Sequence, residues 1–274
     1  MTEIKLNCSY PLKFYVLSDI HWGSKKTNNI LKKSFQLLPK IVDNSGTNIL
    51  FILGDLCETL NKEFFKYMKY LSEAFDWIFL IEGNHDEGIN IKNLEILTKE
   101  FPNFYLVDNF VNINSKVEII NIEKVSVEEL LICDDIKNAR VIIFISHFPP
   151  FGKLDKTSFF DETTLIIEPK PKHQGKKEIL QKLEAIRDTL STSNNYVLFG
   201  HVHSQGGKIG KNEYYKYVNV SPFNSHLCLG YNVYVITIFE DLTTKDGWES
   251  PLNFILTEEN PLWNKDLEKI LNNI

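Results

Sequence analysis

The sequence predicts a protein of the α/β class, and two observations carry that prediction. Short, nearly continuous apolar runs rich in β-branched and aromatic residues recur along the chain, and stretches with helical apolar spacing lie between several of them. The runs occupy residues 13–17 (KFYVL), 48–53 (NILFIL), 77–81 (WIFLI), 141–145 (VIIFI) and 196–199 (YVLF). Such runs read as strands buried on both faces rather than as half-exposed ones. Residues 29–41, 63–75, 94–100 and 176–190 carry apolar residues at mixed three- and four-residue steps, which predicts helices with one buried face. Strand alternating with helix implies a largely parallel central sheet covered by helices.

Later segments have a different texture. Residues 107–113 and 117–122 are short and partly alternating, while 214–220 and 231–239 read as strands separated by a turn-rich stretch. These suit a second sheet with antiparallel pairing, packed on the first. Beyond Asp241 the chain is mixed, contains Pro251 and Pro261, and ends in a helical pattern at 263–270. The expected organisation is therefore one domain over residues 1–240, with a C-terminal extension over 241–274 packed on or trailing from it.

Composition narrows the class of protein. The chain has 274 residues, 43% hydrophobic and 24% charged, which is ordinary for a globular protein and excludes a disordered or collagen-like one. Lys and Arg number 30 against 36 Asp and Glu, a net charge of −6 that does not suggest a protein coating nucleic acid. The longest apolar runs fall far short of the ~20 residues of a membrane span. The first ten residues include Glu3, Lys5 and Asn7 and have no apolar core, so no secretory signal is expected. Four scattered cysteines without CxxC spacing fit free thiols in a reducing cytoplasm.

Each apolar run ends abruptly in residues able to ligate a cation. The first leads into Ser18-Asp19-Ile20-His21, the second into Gly54-Asp55, and the third into Glu82-Gly83-Asn84-His85-Asp86. The fourth leads into Ser146-His147, and the fifth into Gly200-His201-Val202-His203. Ligands of open α/β sheets bind beyond the carboxyl ends of the strands, so these groups are expected to converge. Only seven histidines are present, and five of them sit at these ends. Carboxylate, amide oxygen and imidazole together suit hard and borderline divalent cations. Asp19 and His21, two apart on an extended segment, face the same side. More ligands are available than one ion uses, which points to a pair of ions roughly 3.5–4 Å apart with a bridging carboxylate. Gly54, Gly83 and Gly200 directly precede ligand blocks, which predicts sharp turns or close backbone approach there.

The ordered set Asp19-x-His21, Gly54-Asp55, Gly83-Asn84-His85-Asp86, Ser146-His147 and Gly200-His201-x-His203 resembles the signature of the calcineurin-like metallophosphoesterases. The resemblance implies a four-layer α/β/β/α sandwich with two central mixed β-sheets and a dinuclear metal site at the strand carboxyl ends. It implies one metal held by Asp19, His21, His203 and bridging Asp55, and a second held by Asp55, Asn84, His147 and His201. Two divalent ions per chain are expected, drawn from Mn, Fe, Zn or Ni, with Mn favoured. A hydroxide bridging them is the implied nucleophile on phosphorus. His85 resembles the family's non-ligand histidine, which implies a general acid for the leaving oxygen.

Two departures bear on the substrate. Protein Ser/Thr phosphatases of this family read GDxxDRG and then an Arg-Gly-Asn-His-Glu block. This chain has Gly54-Asp55-Leu56-Cys57-Glu58-Thr59 and Glu82-Gly83-Asn84-His85-Asp86, without either arginine. A dedicated phosphoprotein phosphatase is therefore disfavoured. Glu58 stands where that group has a second Asp that orients the catalytic histidine; it either does the same or is a solvated surface residue. Cys57 is expected to pack as a small apolar residue rather than ligate a metal. His173 and His226 match no motif and are expected to be structural or on the surface.

Between His147 and His201 lies the most irregular segment, with Phe148-Pro149-Pro150-Phe151-Gly152, then Phe159, Phe160, Lys170, Lys172, Lys176 and Lys177. From Lys153 to Lys216 there are eleven Lys and Arg against eight Asp and Glu, a local excess of cations in an acidic chain. Such a loop suits an anionic ligand, with phenylalanines beside lysines to stack a base and hold a phosphate. The sequence thus predicts a phosphoesterase acting on phosphodiester or nucleotide-type small molecules. The alternative is the catalytic subunit of a DNA- or RNA-processing nuclease, which would favour a basic groove; nucleic acid is a possible partner but not the favoured one, and a membrane is not expected.

Overall fold

The computed structural model describes residues 3–23, 36–43, 45–86, 89–157, 160–161, 166–167, 172–190, 192, 194–222 and 233–249. In chain order, strands β1 (Glu3–Leu6), β2 (Leu12–Leu17) and β3 (Thr47–Leu53) are followed by helix α1 (Lys62–Ala74) and strand β4 (Trp77–Ile81). Helix α2 (Ile89–Glu100) precedes β5 (Phe104–Leu106), β6 (Phe110–Ile113) and β7 (Val117–Asn121). Helices α3 (Val127–Ile132) and α4 (Asp134–Asn138) lead to β8 (Val141–Ser146). Four two-residue strands follow, β9 (Lys156–Thr157), β10 (Phe160–Asp161), β11 (Ile166–Ile167) and β12 (Lys172–His173). The chain continues through α5 (Lys177–Ile186), β13 (Asn195–Phe199), β14 (Ile209–Lys211), β15 (Lys216–Asn219), β16 (Val233–Ile238) and β17 (Thr244–Glu249).

Two large mixed sheets result. One runs β17-β16-β2-β3-β4-β5, the other β1-β6-β7-β8-β13-β15-β14. The five buried runs are divided between them. Strands β2, β3 and β4 are parallel neighbours in the first sheet, while β8 lies parallel to β13 in the second. Their inner faces form one apolar layer, with Phe14, Phe51 and Phe79 from the first sheet against Ile119, Ile143 and Leu198 from the second. The outer face of the first sheet is covered by α1 and α2 through Phe64, Met68, Leu94 and Leu97. That of the second is covered by α3, α4 and α5 through Leu130, Ile136, Ile179 and Leu183. The molecule is thus an α/β/β/α sandwich. The runs read as buried on both faces because each strand has an apolar layer on either side.

Some expectations shift. The sequence suits residues 231–239 to the second sheet, yet β16 joins the first, antiparallel to β2, with Tyr234 opposite Val16 and Ile236 opposite Phe14. Tyr234, Ile236 and Ile238 enter the inter-sheet layer, and Val233 and Val235 the helix-covered one, so both faces are satisfied there. Within the expected extension, β17 pairs along its whole length with β16. Residues 250–274 of that extension lie outside the described residues, as do Phe159, Lys170, His226, Cys228 and 29–35 of the first expected helix. Helix α3 carries a local signal, the Ser126-Val127-Glu128-Glu129 capping box, with Ser126 Oγ accepting from the Glu129 N–H and the Glu129 carboxylate accepting from the Ser126 N–H. No helix among the described residues is long and apolar enough to cross a membrane.

Candidate metal centre

The carboxyl ends of β2, β3 and β4 meet those of β8 and β13, and the backbone there turns hard. Asp19, His21, Asp55 and His201 all adopt left-handed conformations, with φ of 55°, 46°, 52° and 68°. Non-glycine residues in this region carry a cost of about 1–3 kcal/mol each and persist only when the surroundings fix them. Here the turns after β2 and β3 fix one another. The Asp19 N–H donates to the Gly54 carbonyl at 3.1 Å, the His21 N–H to that of Asp55 at 2.8 Å, and the Trp22 N–H to that of Leu56 at 3.0 Å. The backbone N–H of His201 donates to Asp19 Oδ2 at 2.9 Å, which ties the end of β13 to the end of β2.

Two glycines make this crowding possible. Gly54 has φ +84°, and a Cβ on it would stand 2.5 Å from His147 Nδ1. A Cβ on Gly83 would overlap the Asp55 carboxylate and amide. Both positions need the close approach that the sequence suggested.

The side chains converge as follows. His203 Nε2 lies 3.4 Å from Asp19 Oδ1, and His21 Nε2 lies 3.6 Å from Asp55 Oδ2. His147 Nε2 is 3.5 Å from Asp55 Oδ2 and 2.8 Å from Asn84 Oδ1. Three overlapping groups, Asp19 with His21 and His203, His21 with Asp55 and His85, and Asp19 with Asp55 and His147, each keep their ligand atoms within 4.8 Å of one another. His201 joins through its ring, 5.1 Å from that of His147 and 4.4 Å from that of Phe148. His85 sits beside His21, ring centroids 4.8 Å apart, and its backbone N–H donates to Asp55 Oδ1 at 2.8 Å. Glu58 Oε1 lies 3.4 Å from His21 Nδ1 and 3.7 Å from His85 Nδ1, so it is nearer the first than the second.

The donor set fits a cation. Asp19 and Asp55 are buried, as is His147. The Leu53 carbonyl lies 2.9 Å from His147 Nδ1 and accepts a hydrogen bond from it, which leaves Nε2 turned toward the oxygens of Asn84 and Asp55. With the ring proton on Nδ1, Nε2 offers a lone pair beside two oxygens, an arrangement a cation reconciles. Burial opposes ionisation of Asp19, but His203, His147 and His21 outweigh it and hold the carboxyl below the ordinary range. Burial, reinforced by His147, pushes the His201 imidazole down to about 4, and burial also lowers His21 against the pull of Asp19 and Asp55. Ionised carboxylate beside neutral imidazole is the state in which both ligate metal.

Outside this group, Cys57 is buried among apolar side chains, and burial pushes its thiol up to about 12. His173 pairs with the buried Asp155, Nδ1 to Oδ1 2.8 Å, and its ring lies against Phe151. Lys176 sets its ammonium 3.7 Å from the centre of the Phe148 ring, next to His201. Further residues support these groups from behind. Ser221 Oγ donates to Asp19 Oδ2 at 2.8 Å, Asp86 accepts from the Gly83 and Asp55 amides, and Glu123 accepts from the His147 amide. Asp86 alone was visible, as the last residue of its block.

A family model described as calcineurin-like phosphoesterase matches residues 12–205. No curated protein matches the chain. Among solved structures, the sulfate thiohydrolase SoxB of Thermus thermophilus, in complex with glycerol, aligns over 89% of this chain and 57% of its own, at 8% identity and TM-score 0.50. At that identity the likeness is one of fold. A conserved protein of Streptococcus pneumoniae described as a predicted phosphoesterase aligns over 87% of this chain and 89% of its own, at 15% identity and TM-score 0.38. A cold-active protein-tyrosine phosphatase of a psychrophilic Shewanella aligns over 90% of this chain and 82% of its own, at 14% identity and TM-score 0.40. The matched span takes in every strand-end block from Asp19 to His203, and the chain belongs to the calcineurin-like phosphoesterase family.

Proposed function

We propose that the protein hydrolyses phosphate esters, phosphodiester or nucleotide-type small molecules foremost, with two divalent cations, manganese favoured. The observation that carries this reading is the facing of His147 Nε2 with the oxygens of Asn84 and Asp55, in a cluster where the Asp19 carboxyl is held low and the His201 imidazole is pushed down. One cation would be held by Asp19, His21, His203 and shared Asp55, the other by Asp55, Asn84, His147 and His201. When bound, such ions supply Lewis acidity, making water a nucleophile near neutral pH and offsetting charge on the phosphoryl oxygens.

The chain's own residues do the rest. Asp55 keeps Oδ1 occupied by the His85 N–H and leaves Oδ2 turned toward His21 and His147. His85, half exposed and fixed at its backbone, delivers a proton to the leaving oxygen. Glu58 lies between the Nδ1 atoms of His21 and His85 and biases the orientation of both rings. The Phe148 ring with the Lys176 ammonium above it sets an aromatic face and a cation at the His201 side, which supports an anionic substrate bearing a flat group.

The test pairs elemental analysis with hydrolysis of bis-p-nitrophenyl phosphate and of the monoester, each with and without single-stranded DNA. Two ions per chain and a preference for the diester that DNA does not suppress are expected. Metal-free protein with no hydrolysis under added Mn²⁺ would sink the reading, and strong suppression by DNA would transfer it to a nuclease.

A further inference from the structure

Where β8 ends, the polypeptide has to hand the His147 ring to the centre, and a glutamate from the turn after the neighbouring strand meets it there. Ile122, just past β7, donates its N–H to the Ile145 carbonyl at 3.0 Å, which keeps the two chains in step and carries Glu123 level with His147. Glu123 Oε1 accepts two successive backbone N–H groups, from His147 at 2.6 Å and from Phe148 at 3.0 Å. Its Oε2 accepts from the Lys176 ammonium at 2.8 Å. The Glu123 carbonyl, with that of Ile122, is in turn held by the buried ammonium of Lys182, at 3.3 and 3.0 Å.

We propose that Glu123 is a positioning residue for His147, fixing its backbone so that the ring presents Nε2 to the second cation. The inference rests on the reading that His147 ligates that cation. His147 is fully buried, and its carbonyl is already used by the Gly200 N–H at 3.0 Å, so the Glu123 contacts complete the fixing of the residue's main chain. With the backbone held, the ring spans a narrow slot, Nδ1 on the Leu53 carbonyl and Nε2 on Asn84 and Asp55. A carboxylate oxygen taking two N–H groups is a stronger and shorter anchor than a neutral acceptor. Lys176 offsets the carboxylate's charge, so the contribution is geometric rather than a second negative charge at the centre. Partners that orient metal ligands are typically worth about 10–100-fold in metal affinity.

The experiment is a titration of the metal-stripped full chain with Co²⁺, followed by visible absorption and calorimetry. The parent is expected to take two ions. Glu123→Ala should weaken one of them about 10–100-fold and leave the other, at Asp19, His21 and His203, at parental affinity. Glu123→Gln, whose amide oxygen still accepts both N–H groups, should fall between the two. Lys182→Met, which releases the turn without touching the carboxylate, should weaken the same ion. Lys124→Met, on the same turn but paired with Glu82, serves as the control at parental affinity. A parent that takes no Co²⁺ overturns the reading of the centre itself. A parent taking two ions, with Glu123→Ala matching it, overturns the role of Glu123 alone. Equal loss of both ions in Glu123→Ala and Glu123→Gln, with a lowered melting temperature, assigns Glu123 to the fold and also overturns it.

Discussion

The carboxylate of Asp86 accepts the backbone N–H of Asp55 at 2.7 Å, and through the same oxygen that of Gly83 at 2.9 Å. The turn after β3 and the turn after β4 are thereby stitched together from beneath. Asp55 is left with one oxygen on the His85 amide and the other near both His21 and His147. That reach from one carboxylate to both His21 and His147 sets its expected weight.

Asp55→Ala should therefore lose both cations rather than one, and activity should fall by more than the about 10–100-fold typical of an outer-sphere partner. Asp55→Asn keeps an acceptor for the His85 amide but removes the charge, and should retain the fold with weakened metal binding. Elemental analysis and melting temperatures of the two variants check this. Parental metal content in Asp55→Ala would remove Asp55 from the bridge.

Gly83 tests the crowding beneath that bridge. A Cβ there overlaps the Asp55 carboxylate and amide, backbone as well as side chain, so little can give. Gly83→Ala should cost about 1–3 kcal/mol, as overpacking commonly does, and displace Asp55 enough to weaken metal binding. Gly152→Ala, whose Cβ meets nothing within 4 Å but whose φ is +76°, should cost about 1–2 kcal/mol and leave metal binding alone. Equal metal affinities in the two variants would refute the steric account.

The strand-end blocks were legible because each rests on two local signals at once, an apolar run and the polar residues that stop it. The sheet to which a strand belongs is a tertiary matter. Strands β15 (KYVN) and β16 (VYVITI) both read as short strands, yet the faces of β16 fit the first sheet and those of β15 the second. The supporting residues were invisible for a related reason. Glu123 reaches His147 across 24 positions and Ser221 reaches Asp19 across 202, and a lone Glu or Ser in a turn reads as surface. Glu58 is intermediate: the block located it, but only the structure brings its carboxylate nearer to His21 than to His85.

Glu118 predicts a pH dependence remote from the centre. It is buried on β7 with Oε2 accepting from the Asn112 amide, and among the described residues Oε1 has no hydrogen-bond partner. Burial pushes its carboxyl up to about 8, and Asp135 and Glu3 add to the rise while Asn112 and Lys5 oppose it. The unfolded chain ionises this group near 4.5, so between there and about 8 the folded state holds the extra proton. Stability from this group is complete below 4.5 and declines as pH rises toward 8, at no more than about 1.4 kcal/mol per unit. Glu118→Gln removes the decline. The variant's advantage in urea melts should be near zero at pH 4.5, grow through pH 7 and level off above 8. A gap that does not change with pH would show that Glu118 titrates normally.

His85 separates an enzyme from a metal-binding scaffold. Its imidazole is half exposed beside His21, while its backbone N–H is held by Asp55, so substitution of the ring leaves that hydrogen bond in place. His85→Asn should accordingly keep both cations and lose about 10²–10⁴-fold in turnover, the usual range for a general acid. The loss should be small with p-nitrophenolate, which departs without a proton, and large with an alkoxide-like leaving group such as a ribose hydroxyl. Glu58→Gln should follow the same leaving-group trend more mildly. Because Glu58 also reaches His21 Nδ1, it should weaken metal binding slightly, which His85→Asn should not. A uniform loss across leaving groups, or a missing cation in His85→Asn, would move His85 from proton donor to metal ligand. The close group of His21, Asp55 and His85, with ligand atoms within 4.8 Å, makes that outcome a real competitor, and the leaving-group series decides between them.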